Sequence, residues 1–203
     1  MNRPAHVCVT RHGETDWNVS GILQGWIDVP INDQGRRQAR EMASSFAGSG
    51  FAAVWSSPLI RAGETAEIIA AALGLPPPSV HEGIKERHFG AIQGVPKSEL
   101  ADLNPLLLQQ IMRRNPAAEF EEGETMDEFA DRVLAGFMDI GAQHPGERVL
   151  VVTHGWVMDV VTRHIEGVAR STILNHKRKN GESVWVSASA SALLPETAQE
   201  QTV

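Results

Sequence analysis

The sequence predicts an α/β fold of three layers: a mainly parallel sheet between two layers of helix, with a largely helical lid inserted on one side. Three observations predict it. Strand-like and helix-like segments alternate along the chain. Val149-Leu150-Val151-Val152 is a continuous apolar run, as a central parallel strand buried on both faces requires. The segment 84–123 is the longest break in that rhythm, and it reads as a lid on the substrate side.

The elements follow in order. Strands are expected at about 5–10, 52–56, 148–153 and 183–189, with a weaker one near 79–82. A helix from about Asp33 to Phe46 takes Asp33 as its N-cap. A second runs from about Pro58 to Leu73, with Pro58 in its first turn and Gly74 just past its end. Pro76-Pro77-Pro78 marks a loop. Residues 98–114 and 124–142 look helical, the latter starting near Thr125 or Gly123, and Gly155 to Gly167 gives the last helix. The tail after Ser187 is rich in Ala and Ser, then polar, and is expected to be mobile beyond Pro195. No repeat or linker divides the 203 residues, so one domain, 1–203, is expected.

Composition narrows the function classes. The chain is 42% apolar and 21% charged, as in an ordinary globular protein. A net charge of −7 provides no general field toward nucleic acid or anionic membranes. Arg36-Arg37 and Lys177-Arg178-Lys179 are short and read as solvated faces. No apolar run approaches the roughly 20 residues of a membrane span. The first residues lack a secretory apolar segment. The one cysteine, Cys8, falls inside a predicted strand and excludes an intramolecular disulfide framework. A cytoplasmic protein is expected.

Thr10-Arg11-His12-Gly13-Glu14-Thr15 directly follows the apolar run Val7-Cys8-Val9. Open α/β sheets place ligand chemistry at the carboxyl ends of such strands. Neutral imidazole is a good nucleophile toward phosphorus, and the N–P bond it forms is easily cleaved again. An adjacent arginine can bind an oxyanion bidentately. Val151-Val152-Thr153-His154-Gly155 repeats the design, so neighbouring parallel strands would bring His12 and His154 to one rim. There a cationic or hydrogen-bond-donating His154 could stabilise charge on phosphoryl oxygens. Arg61 falls near the start of the second helix, where free N–H groups favour an anion. The alternative is a surface arginine paired with Glu64 or Glu67. Glu86, within the lid, could protonate a leaving alkoxide and then activate water. The alternative is a loop residue paired with Lys85 or Arg87. Glu14 is a competing acid that could instead orient His12. The remaining histidines (His6, His81, His88, His144, His164, His176) show no metal-ligand spacing, and no glycine-rich nucleotide fingerprint occurs. No metal and no cofactor are expected.

On these residues the chain resembles the histidine phosphatase superfamily, the phosphoglycerate mutase-like proteins, over about residues 5–190. Arg11-His12-Gly13-Glu14-Thr15 matches the family signature and implies that His12 is the phospho-accepting nucleophile. Trp17-Asn18 and Gln24-Gly25-Trp26 match the loop that helps hold the phosphate, which implies binding roles for Asn18, Gln24 and Gly25. Ser56-Ser57-Pro58-Leu59 with Arg61-Ala62 and Thr65 implies that Arg61 is the second phosphate-binding arginine. Glu86 matches the proton donor, and His154-Gly155 the second core histidine. Asn180-Gly181 with Ser183-Val184 resembles the motif that closes the pocket, with Glu182 interrupting its usual form.

Within the family, Glu86-Arg87-His88-Phe89-Gly90-Ala91-Ile92-Gln93-Gly94 looks like the cofactor-dependent mutases. Gly21-Ile22-Leu23-Gln24-Gly25-Trp26 looks like the phosphatases. The stretch beyond the proton donor is short and acidic (Glu119, Glu121, Glu122, Glu124) apart from Arg113-Arg114, and an acidic lid repels a second phosphate. The expectation is therefore a phosphomonoester hydrolase working through a phosphohistidine, with mutase-type transfer as runner-up and a non-catalytic phospho-ligand binder as the alternative of another class. The expected partner is a small phosphorylated metabolite. No nucleic-acid or membrane partner is expected, and a homodimer is left open.

Overall fold

The computed structural model describes residues 3–174 and 178–196. Its sheet has six strands: β1 (Ala5–Arg11), β2 (Phe51–Ser56), β3 (Ser79–Val80), β4 (Arg148–Thr153), β5 (Ser183–Ser189) and β6 (Ala192–Pro195). Their order is β3-β2-β4-β1-β5-β6. The first four run parallel, and β5 and β6 return antiparallel.

Side chains alternate across the sheet. Val7, Val9, Val149, Val151 and Val186 face one core. Cys8, Val54, Leu150 and Val152 face the other. The first core is covered by α6 (Met126–Gln143) and α7 (Gly155–Ile165), the second by α2 (Asp33–Ser45) and α3 (Ile60–Leu73). Burial on both faces is why β1 and β4 read as unbroken apolar runs. Cys8 lies fully buried, and burial pushes its thiol up to about 12, so it is an inert packing residue.

Several boundaries differ from expectation. Asn32, not Asp33, caps α2: its Oδ1 accepts Gly35 N–H at 2.8 Å, while Asp33 pairs with Arg36. α3 begins at Ile60 rather than Pro58, because Ser57 and Pro58 turn the chain out of β2. The expected helix 98–114 is two, α4 (Lys97–Leu103) and α5 (Pro105–Met112). Pro105 has no N–H for the first helix, and the residue before a proline is disfavoured from helical geometry. Asn104 therefore ends α4 and caps α5. α6 starts from Thr125 through a capping box with Glu128.

The elements beyond those expected include the short α1 (Asp16–Ser20), 3-10 turns at Glu82–Ile84 and Gly90–Ile92, and the edge strand β6, which pairs with β5. Of the expected mobile tail, residues 197–203 lie outside the described residues, as do His176 and Lys177. Arg178 is buried, contrary to a solvated face. No described helix is long and apolar enough to cross a membrane.

Candidate active site

The register of β1 against β4 places Arg11 opposite Thr153. His12 and His154 therefore leave the sheet side by side. The ladder continues one step, His12 N–H to Thr153 O at 2.9 Å, and the two imidazole centroids lie 5.2 Å apart. His12 Nδ1 lies 2.7 Å from the Gly13 carbonyl. A carbonyl only accepts, so Nδ1 carries the proton and Nε2 keeps its lone pair. Burial, then the charges of Arg61 and Arg11, hold His12 well below the ordinary histidine range. It is a neutral imidazole.

Glycine is required around this nucleophile. A Cβ on Gly13 would sit 2.6 Å from the Gly35 carbonyl, so the loop and the start of α2 pack backbone to backbone. Thr65 Oγ1 accepts the Gly13 N–H, and Asn180 Nδ2 donates to the His12 carbonyl. Glu14 does not orient His12. Its carboxylate accepts from Asn32 Nδ2 instead, at 3.1 Å.

His154 is fully buried behind His12. Ser57 Oγ accepts Leu59 N–H and stands 2.8 Å from His154 Nε2. His154 Nδ1 is buried with no partner among the described residues. Burial, then Arg61, hold this ring well below the ordinary histidine range too, against the cationic option.

A cleft of about 340 Å³ opens over the rim, lined by Arg11, His12, Asn18, Gln24, Gly25, Arg61 and Glu86 among others. Of the nine expected site residues only His154 and Gly155 are not on its surface. Arg61 is 1% exposed and pairs with neither Glu64 nor Glu67. Its Nη2 and Nη1 donate to the Gly25 and Ile27 carbonyls at 2.7 and 3.0 Å. Arg11 Nη1 donates to the Arg178 carbonyl at 2.6 Å. Burial pulls each of these guanidinium groups down to about 10, and the Nε of each is buried without a hydrogen-bond partner among the described residues. A buried donor left unpaired is costly, and an oxyanion relieves that cost.

Asn18 gives its amide oxygen to Thr15 N–H in the capping box of α1, which leaves Nδ2 for the cleft it lines. Gln24 accepts from Thr15 Oγ1. Gly25 has φ +52°, and a Cβ there would meet Gln93 Oε1 at 2.1 Å.

Glu86 is 8% exposed. Burial raises its carboxyl above the ordinary value, against the Arg87 N–H bond and the charges of Arg114, Arg61 and Arg11. It is not paired with its neighbours. Arg87 turns its guanidinium to the Ala118 and Glu124 carbonyls and over Phe120, while Lys85 pairs with Glu82. A buried carboxyl with a raised pKa is suited to donate a proton.

The lid corrects one expectation. The glutamates beyond Glu86 do not line the cleft: Glu122 and Glu124 line a separate surface groove, and Glu124 is held by Arg132. The lid residues lining the cleft include Lys97 and Arg114. Arg114 lies beyond α5 with φ +47° and pairs with the buried Asp159 of α7 at 3.0 Å. A Cβ on Gly155 would sit 2.6 Å from its Nη2, so Gly155 makes room for Arg114. Lys97, Arg114, Arg178 and Asn180 were not among the expected site residues. Two of them gave a signal: Asn180 stands in the motif that resembles the pocket closure, and Arg114 in the Arg113-Arg114 pair, where the sequence does not say which of the two turns inward. Arg113 is exposed. No cluster that could hold a metal ion occurs among the described residues.

The family model of the histidine phosphatase superfamily (branch 1) matches residues 7–193. The chain belongs to that superfamily. It is 38% identical over 156 residues to phosphoglycerate mutase-like protein 4 of Arabidopsis thaliana, which covers 76% of this chain and 68% of that protein. It is 36% identical over 157 residues to the metal-independent phosphoserine phosphatase of the same plant, covering 76% and 66%. Among solved structures, Bacillus stearothermophilus YhfR superposes with a TM-score of 0.85 at 27% identity over 98% of both chains. Superfamily and fold thus agree with the expectation. The relatives include both phosphatase and mutase-like proteins.

Proposed function

We propose that this protein hydrolyses a small phosphomonoester through a phosphohistidine on His12, without a metal ion. The observation that carries the reading is the tautomer of His12: Nδ1–H is fixed on the Gly13 carbonyl, so the nucleophilic Nε2 is held in a neutral ring beside two arginines whose Nε groups have no partner among the described residues.

In the first step the Nε2 lone pair forms the N–P bond as the P–O bond to the leaving group breaks. Glu86 gives its proton to the departing oxygen. Arg11, Arg61 and the Asn18 amide hold the phosphoryl oxygens, and His154, whose buried Nδ1 has no partner among the described residues, stands behind His12 to stabilise the developing charge. In the second step the Glu86 carboxylate takes a proton from water, the water oxygen bonds to phosphorus, and the N–P bond breaks. Inorganic phosphate and neutral His12 result. The acid–base group contributes about 10²–10⁴-fold, and charge stabilisation and positioning supply most of the rest.

Arg114 and Lys97 on the lid side extend positive charge beyond the phosphoryl clamp. That fits a metabolite with a second anionic group such as a carboxylate, and the phosphoserine phosphatase relative carries such a substrate in its name. The same two cations favour the second reading, mutase-type transfer, in which another substrate hydroxyl takes the phosphoryl group in place of water. Phosphate release measured across phosphoserine, phosphoglycerates, sugar phosphates and nucleotides tests the proposal. Isomerisation without net release identifies the mutase. Tight binding with no turnover identifies a binder.

A further inference from the structure

Three consecutive residues, 25–27, touch both halves of the proposed chemistry. The Gly25 and Ile27 carbonyls hold the Arg61 guanidinium at 2.7 and 3.0 Å. Between them, Trp26 Nε1 donates to the Glu86 carbonyl at 2.6 Å. That carbonyl has a second donor, Arg132 Nη2 of α6, at 3.3 Å. Arg132 also holds the carbonyls of Gly83 and Lys85 at 3.0 and 3.1 Å, and is itself fixed by Glu124 at 2.7 Å.

Trp26 is 36% exposed, so burial does not account for its orientation. The ring is pinned instead. The Lys85 ammonium sits 3.7 Å above its centroid, and His88 meets it edge-on at 4.7 Å. Its backbone N–H is taken by Gln93 Oε1 at 2.7 Å, while Gln93 Nε2 lies 3.2 Å from His88 Nε2. The Glu86 carboxyl accepts only the Arg87 N–H among the described hydrogen bonds. Where that carboxyl points is therefore set by where its backbone is fixed.

We infer that Trp26 is a positioning residue for Glu86, and that the 25–27 segment mounts the phosphate-binding arginine and the proton donor on one piece of backbone, so that the acid keeps its place relative to the bound phosphoryl group. Nothing in the general scheme of nucleophile, arginines and acid requires an indole at this place. The inference rests on the phosphatase reading, in which Glu86 is the acid. Small displacements of a catalytic group cost rate steeply, about 10²-fold for 1 Å.

Trp26→Phe keeps an aromatic face under Lys85 and removes only the N–H donor. With glycerol 2-phosphate, whose leaving group needs a proton, kcat should fall about tenfold or more. With p-nitrophenyl phosphate, the burst of nitrophenol should stay within about threefold, and inorganic phosphate should bind within about threefold of wild type, because Arg61 keeps both carbonyl partners. The double variant Trp26→Phe/Glu86→Gln should be no slower on glycerol 2-phosphate than Glu86→Gln alone, since one effect acts through the other. Arg132→Lys, which removes the other donor and leaves Trp26 in place, should act in the same direction and more weakly.

A second readout does not need turnover. The Glu86 carboxyl, followed by ¹³C NMR, should titrate lower in Trp26→Phe as it escapes burial, toward the ordinary carboxyl value. Arg11, Arg61, Arg114 and the Arg87 N–H face that group and all favour its charged form. Equal losses on both phosphates, multiplied losses in the double variant, or an unchanged titration would overturn the inference. If the wild type releases no phosphate from either compound, the phosphatase reading fails by itself. The titration then still decides the placement of Glu86, a shift supporting the positioning role and no shift refuting it.

Discussion

The sheet rim and the lid are built by different means. At the rim, His12 and His154 are placed by backbone: two parallel strands in fixed register, each ending in a histidine one residue past an aligned pair. In the lid, Glu86, Lys97 and Arg114 are placed by short helices, turns and side-chain bonds to distant carbonyls. Strand periodicity fixes the direction of every side chain along a strand. No comparable rule fixes which of Arg113 and Arg114 turns inward after the one-residue break at Asn104. The rim therefore supplies the chemistry in a form that the sequence states openly. The lid supplies leaving-group choice in a form that only the folded chain reveals.

The most severe way to break this division is His12→Ala. Turnover should drop by at least about 10³-fold with the fold retained, because the covalent acceptor is gone. Wild type quenched during turnover should carry acid-labile, base-stable phosphate, and the variant none. A variant retaining more than a few per cent of the wild-type rate would move the nucleophile away from the rim.

Arg61→Ala sharpens the rim's side of the comparison. It should weaken inorganic phosphate and every phosphomonoester alike, by about 1.5–3 kcal/mol for one charge-assisted contact. Phosphate inhibition constants read this directly. Unchanged inhibition would remove Arg61 from the site. By contrast, Arg114→Lys keeps a charge near Asp159 but loses the planar fork. It should raise KM for phosphoserine or a phosphoglycerate by about tenfold, and leave p-nitrophenyl phosphate nearly unaffected. Parallel losses on both would make Arg114 part of the phosphoryl clamp, and the rim and lid would no longer divide the work.

The legibility of the sequence follows the same line. The strands at 5–10, 52–56, 148–153 and 183–189 were readable because each is an apolar run with a two-residue period or burial on both faces. Arg11, His12, His154 and Arg61 were readable because each follows such a strand closely. Asn32 and Ser57 were not, because a polar residue beside another polar residue gives no sign of which side chain reaches the backbone. β6 was hidden by its small and polar neighbours: Leu193 is buried, but the run around it is four residues long. The acidic lid was misread because composition reports the charge of a segment and not the face that carries it. Four glutamates could not be separated from Lys97 and Arg114 until the turns between them were fixed.

The smallest expected effect concerns stability, and it isolates the rim. Both histidines are held well below the ordinary value, by burial first and then by the arginines. In the unfolded chain they titrate near about 6.5. Between that value and their depressed native values, the unfolded state binds more protons than the native one. Their contribution to stability is thus complete above about pH 6.5 and is lost as pH falls toward their native pKa values. Glu86 has the opposite sign. Its raised carboxyl makes the native state bind the extra proton above the ordinary carboxyl range, so its contribution falls as pH rises through its own pKa. Two histidines oppose one carboxyl, and the substrate-free protein should lose stability on going from about pH 7 to about pH 5.5. Urea unfolding across that window should show the loss, and His12→Asn/His154→Asn should flatten it. The flattening separates the rim from the lid, because the double variant leaves Glu86 and its arginines in place. An unaltered slope in the double variant would mean that the acid sensitivity arises elsewhere, and that the two rings are not held neutral by the rim.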